Sequence, residues 1–206
     1  MRKLWILPII AFLCAATACS PRDFLTRRLA SDLIAGSDVF KTQQQFWLRT
    51  GVVSAKDYSS PEYLVLQHRG WIIGANVPCP PTPGAPRVYG APACWEVTLT
   101  PLGVDAFRDL IPKNTTPSQY FSVPIAKRDL IEVTGISKAG NFADVEFQWK
   151  WVPMNEVGAS LSSGGVVYKS VVGFRQFDDG WRVVQSASAR SNQSLDEALK
   201  NTEPTQ

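Results

Sequence analysis

The sequence predicts an α+β protein: an antiparallel meander of about four strands in the C-terminal half, covered by N-terminal helices, with a disulfide-closed, proline-rich loop between them. Three observations predict this. Leu25, Leu29 and Leu33 recur every four residues, the spacing that stacks side chains on one face of a helix. Ala143 to Trp151 alternates, with Val145, Phe147, Trp149 and Trp151 on one face and Asp144, Glu146, Gln148 and Lys150 on the other. Asp178-Asp179-Gly180 lies between two apolar runs and has the residues of a tight hairpin. Strands with one apolar face must bury it, and the N-terminal helices are the available cover.

The first element is an address. The chain opens Met1-Arg2-Lys3, runs apolar from Leu4 to Leu13 and reaches Ala16-Thr17-Ala18-Cys19. A basic start, a short apolar core and small residues before a cut are the parts of a secretory signal. The apolar run is shorter than the roughly 20 residues of a membrane span. The stretch resembles the lipobox of bacterial lipoproteins, with Ala16 where leucine is more usual. The resemblance implies cleavage before Cys19, lipid on that thiol, and a lipid-anchored place in the cell envelope. Ser20 rather than aspartate after the cysteine favours the outer membrane if the cell is Gram-negative. Ordinary cleavage after Ala18 and a retained N-terminal anchor are the alternatives.

Residues 1–19 are therefore read as the lipoprotein signal segment and 20–186 as one α+β domain, with a candidate seam between a helical part (20–115) and a sheet part (116–186). Residues 187–206, rich in Ser, Asn and Gln, are read as a flexible tail with a short helix at Leu195 to Leu199. Lys and Arg number 21 against 18 acids, and two of the cations, Arg2 and Lys3, leave with the signal. The remaining charge is near neutral and unclustered, which excludes nucleic acid as a partner. Seven Trp and ten Phe supply a core.

Ser20-Pro21-Arg22-Asp23 reads as the start of the first helix, with Gly36 as its stop. Lys41 to Val53 fits either state. Ser60-Pro61-Glu62 opens a second helix ending near Gly70, and Trp71-Ile72-Ile73 is strand-like. Cys79 and Cys94 then bracket the proline-rich stretch, and in an exported chain this pair is expected to be a disulfide. A zinc site lacks further ligands, because His68 is the only histidine. Trp95 to Thr100 alternates as a strand, and Pro101-Leu102-Gly103 turns into a helix from Val104 to Leu110.

The order helix, strand, loop, strand, then Leu99-Thr100-Pro101-Leu102-Gly103 and a helix, resembles the wing of a winged-helix module. Tyr63 to Arg69 offers only His68 and Arg69 as basic residues, so the resemblance implies a protein-docking or structural wing. Further on, the alternating strands and Asp178-Asp179-Gly180-Trp181-Arg182-Val183-Val184 resemble the cystatin-like and nuclear-transport-factor-like cone folds. Such folds host enzymes, binding modules and assembly proteins alike.

No catalytic, metal or cofactor set emerges. His68 lacks a partnered nucleophile, Asp178 and Asp179 suit a turn, and Ser162-Ser163-Gly164-Gly165 lacks the lysine of a phosphate loop. The expected function is a non-enzymatic binding or assembly-accessory module, held to the membrane by lipid on Cys19. Its partner is an envelope protein or an apolar ligand, and the aromatic stripe Phe147, Trp149 and Trp151 is the candidate surface wherever it is exposed. The alternatives are a small cone-fold hydrolase or isomerase with Asp144 or Glu146 as base, and a structural or adhesive surface protein.

Overall fold

The structure, a computed structural model, describes residues 24–80, 93–111, 120–162, 164–185 and 193–205. Cys19 and the rest of the segment read as a signal lie outside these residues, as does Ser20. The fold is α+β. Its larger sheet is antiparallel and curled, in the order β1 (Gln44–Arg49), β5 (Tyr120–Ala139), β6 (Phe142–Pro153), β7 (Val167–Phe177) and β8 (Gly180–Val183). A short β9 (Glu203–Pro204) also pairs with β7. The smaller sheet has the order β2 (Gly51–Ser54), β4 (Ala93–Leu99), β3 (Ile72–Pro78).

The expected meander is β5 to β8. Its turns use glycine where left-handed backbone is required: φ is 61° at Gly140 and 125° at Gly180. Register shifts between Leu130 and Glu132 and between Val133 and Gly135 mark irregularities that bend β5. The fifth strand comes from the segment left ambiguous, because Phe46 and Leu48 alternate inward from β1 against Val123 and Phe121. Gly51, at φ 79°, lets the chain turn from β1 directly into β2 of the other sheet.

The cover is α1 (Arg27–Gly36), α2 (Asp38–Lys41) and, from the other end of the chain, α7 (Leu195–Lys200). The cap of α1 is Thr26, whose hydroxyl accepts from the Leu29 amide at 3.1 Å, and Phe24 to Thr26 are not helical. A start at Ser20 is thus replaced by one six residues later. Ala30 and Ile34 are the buried positions of α1, with Leu25 and Leu33 packed at the margin. Part of the segment expected as a flexible tail is packed: Leu195, Ala198 and Leu199 of α7 are buried in the same core. Ser194 and Glu197 form a reciprocal capping box there.

Two clusters of buried side chains result. One lies between α1, α2, α7 and the β5–β8 part of the large sheet. The other gathers Phe46, Leu48, Phe121 and Val123 with Val53, Val97, Trp71 and Phe107 of the smaller sheet and its helices. Neither boundary matches a seam at residue 115. Helices α1 and α2 belong to the sheet core, and the first residues of β5 belong to the other. The long strand β5 runs through both.

Residues 51–106 fold as β2, α3 (Ala55–Tyr58), α4 (Pro61–His68), β3, β4 and α5 (Pro101–Ala106). The Leu99-to-Gly103 piece has a physical explanation. Thr100 caps α5: its hydroxyl accepts from the Gly103 amide at 3.0 Å and donates to the Gly70 carbonyl at 2.6 Å. The Thr100 amide donates to the Trp71 carbonyl at 3.0 Å. A Cβ on Gly103 would overlap that same Trp71 oxygen, so only glycine admits the approach. The helix expected from Val104 therefore begins three residues earlier. Cys79 and Cys94 are joined, with Cα atoms 5.0 Å apart, closing the end of β3 onto the start of β4. Most of the proline-rich loop, residues 81–92, lies outside the described residues.

Candidate functional site

The aromatic stripe, a candidate surface only where it is exposed, is mostly core. Phe147 and Trp149 are buried under α1, α2 and α7, and only Trp151 is partly exposed. The reason is that the inner face of the sheet is the covered one. The Trp149 indole donates to the Ser170 hydroxyl at 3.0 Å, its ring stacks on Tyr168, and it meets Trp151 edge-on. Arg128 closes the stripe, with its guanidinium 4.6 Å from the Trp151 ring. It donates to the carbonyls of Val39 and Thr42, each at 3.0 Å. Burial lowers its pKa, yet an arginine stays charged, so it pins α2 to β5 as a cation over two tryptophans. A cleft of about 370 Å³ lies here, between α1 and β5, with Asp32, Lys41 and Arg128 on its walls.

The candidate carboxylates take the opposite face of β6. Glu146 accepts from the Thr134 hydroxyl at 2.7 Å and pairs with Lys169 at 3.0 Å. These contacts, the Thr134 hydroxyl first, hold its carboxyl below the usual range. A general base working near neutrality needs the reverse. Neither Asp144 nor Glu146 lines either of the two clefts described. Asp178 and Asp179 form the β7–β8 turn, and Asp179 pairs with Arg182. His68 is exposed at the end of α4. Among the described residues, no three His, Cys, Asp or Glu side chains group closely enough to hold a metal ion.

Another site is one that sequence reasoning missed. A second cleft, of about 380 Å³, lies between β1 and the α3–α4 turn. Its rim carries Trp47 and Tyr120, 62% and 63% exposed. Both lie on the outward face of adjacent strands, because Trp47 pairs with Ser122 and Arg49 with Tyr120. The Arg49 guanidinium sits 5.0 Å over the Tyr120 ring. Gln45 orients beside them through a 2.9 Å hydrogen bond from Ser122. Asp57, Ser60 and Glu62 form the opposite wall.

Tyr63 fixes the floor. Its hydroxyl accepts from the Arg49 amide and donates to the Arg49 carbonyl, both at 2.8 Å, occupying backbone groups that a neighbouring strand would otherwise use. Burial raises its pKa, so it remains the neutral donor this geometry needs. The cleft is thus rigid on one side, polar on the other and aromatic at its mouth. Its volume falls within the range of small-molecule sites. The alternation Phe46-in, Trp47-out, Leu48-in was the available signal, but it required knowing that residues 44–49 are a strand.

The cleft and the start of α1 lie toward opposite ends of β5. Tyr120 begins β5 and Ala139 ends this strand of 20 residues, about 60 Å along the strand at ~3.3 Å per residue. Arg27, at the start of α1, donates to the Thr134 carbonyl at 3.0 Å, while α2 meets Arg128. Helix α1 therefore runs against β5, with its beginning toward Ala139. Among the described residues no helix is long and apolar enough to cross a membrane. No family model, no curated protein and no solved structure matches this chain.

Proposed function

We propose that this chain is a membrane-tethered envelope lipoprotein, held by lipid on Cys19, that acts as a non-enzymatic binding or assembly-accessory module. The observation that carries the binding role is the cleft between β1 and the α3–α4 turn, with two large aromatics exposed at its mouth. Exposed Trp and Tyr beside convergent polar groups are the composition of recognition surfaces. The Cys79–Cys94 disulfide supports an oxidising compartment, which agrees with export. The position of the cleft, far along β5 from the start of α1, supports a module whose working end projects away from its anchor.

The helix pair α3–α4, followed by the β3–β4 hairpin and α5, supports the winged-helix likeness in its protein-docking sense. The cleft is built on that helix pair through Asp57, Ser60, Glu62 and Tyr63. An envelope protein is the occupant this reading favours.

The test is a photo-crosslinking amino acid placed at Tyr120 in the full chain, expressed with its own signal and read by mass spectrometry. The expected result is one dominant envelope protein, weakened by Trp47→Ala and by Cys19→Ala. Crosslinks no different from those at the exposed Glu132, or unaffected by Trp47→Ala, overturn the cleft as the docking site.

A further inference from the structure

We propose that the end of the large sheet formed by the β5–β6 and β7–β8 turns seats on anionic phospholipid, in the leaflet that holds the lipid of Cys19; this rests on the tethered reading above. Three observations converge on that end.

The first is the path of the chain. Helix α1 runs against β5 and packs on β5 and β8, so Phe24 emerges toward the Ala139 end of the sheet. Five steps of chain separate Cys19 from Phe24, which limits their separation to about 18 Å. A lipid on Cys19 therefore holds this end, and not the cleft, against the bilayer.

The second is its side-chain chemistry. Phe142 and Phe177 are exposed on the outer face, at 43% and 42%, and Phe24 is 61% exposed. Arg175 lies between the first two, 5.7 Å from the Phe142 ring and 5.2 Å from the Phe177 ring. Arg182 lies 5.0 Å over Phe177 from the neighbouring strand. Exposed rings carrying cations on their faces match the boundary between acyl chains and headgroups: apolar body inward, charge at the phosphates. The two turns are held as one surface, because the Gln176 amide donates to the Asn141 carbonyl at 2.8 Å.

The third is charge. Arg175 and Arg182 lie on this face with Asp144 and the turn acids Asp178 and Asp179, and Arg182 already pairs with Asp179. Arg27 and Arg28, at the start of α1, add to the positive side. At the far end, the cleft sets Asp57 and Glu62 against Arg49. An anionic surface therefore attracts the turn end and gains nothing from the cleft end, which orients the molecule with the cleft outward.

The experiment uses the full chain, expressed with its own signal. Mass spectrometry of its N-terminal peptide first reads acylation of Cys19. The acylated protein is then reconstituted into vesicles of phosphatidylcholine alone or with phosphatidylglycerol, and exposed side chains are labelled by hydroxyl radicals. Labelling of Phe142 and Phe177 is expected to fall with phosphatidylglycerol, by up to about fivefold for each surface cation engaged at about 1 kcal/mol. Labelling of Trp47 and Tyr120 stays unchanged, and Arg175→Glu with Arg182→Glu restores labelling of the two phenylalanines. Equal labelling of Phe142 and Phe177 in both vesicle types, on an acylated chain, overturns this inference alone. An N-terminal peptide without lipid overturns the tethered reading and this inference with it.

Discussion

A single kind of substitution, glycine to alanine, separates the packing forces in this fold. At Gly103 and at Gly158 a new Cβ would overlap a backbone carbonyl oxygen, of Trp71 and of Ile125 respectively. Backbone cannot rotate away as a side chain can. The Trp71 oxygen also accepts from the Thr100 amide, and the Ile125 oxygen from the Met154 amide, each at 3.0 Å. Overpacking costs about 1–3 kcal/mol, and a strained hydrogen bond adds about 1 kcal/mol. Each variant should therefore lose about 2–4 kcal/mol. At Gly36, the last residue of α1, nothing lies within 4 Å of the added carbon and φ is not left-handed. There alanine should gain up to about 1 kcal/mol from helix propensity. With a urea dependence of about 2 kcal/mol/M, the midpoint falls by about 1–2 M for Gly103→Ala and Gly158→Ala. It rises by up to about 0.5 M for Gly36→Ala. Tryptophan fluorescence across a urea series measures all three. Midpoints for Gly103→Ala and Gly158→Ala at or above that of the parent would refute the close-approach argument.

Three further outcomes follow from particular contacts. Ser170→Ala leaves the buried Trp149 indole N–H without its acceptor and should cost about 1–3 kcal/mol in urea unfolding; a cost near zero would mean the bond is dispensable. Reducing the Cys79–Cys94 bond, which closes a separation of 15 residues, should cost about 3 kcal/mol, and the Cys79→Ser, Cys94→Ser chain should match the reduced parent. Thr134 and Lys169 lower the native pKa of Glu146, so across the acid range the unfolded chain binds this proton more readily than the folded one. Its contribution is complete above the ordinary carboxylate range, near pH 4.3, and is lost as pH falls through the lower native value. Glu146→Gln should flatten the acid limb of the stability curve, and an unchanged limb would remove the pair from that role.

The meander, the amphipathic first helix, the hairpin at Asp178-Asp179-Gly180 and the disulfide were legible because each is written locally. Alternation, four-residue spacing, turn chemistry and two cysteines bracketing a proline-rich stretch need no distant partner to be read. Helix α6 (Glu156–Leu161) was not legible. It is a six-residue helix capped by Asn155, whose side chain accepts from the Gly158 amide at 2.8 Å and donates to the Pro124 carbonyl at 2.7 Å. Its reason to exist is that contact with β5.

By itself the sequence determined which residues of β6 share a face, and so that Phe147 and Trp149 lie with Val145. It did not determine what covers that face. Alternation states only that one side is apolar; whether an apolar side is core or platform depends on what packs against it. Tertiary structure decided this by folding α1, α2 and α7 over the stripe and by returning the C-terminal segment to the core. It also decided that β1 joins β5, which turned Trp47 and Tyr120 outward as neighbours over a cleft. Those two residues are 73 positions apart in the chain, and only strand pairing across that separation, a non-local contact, brings them together.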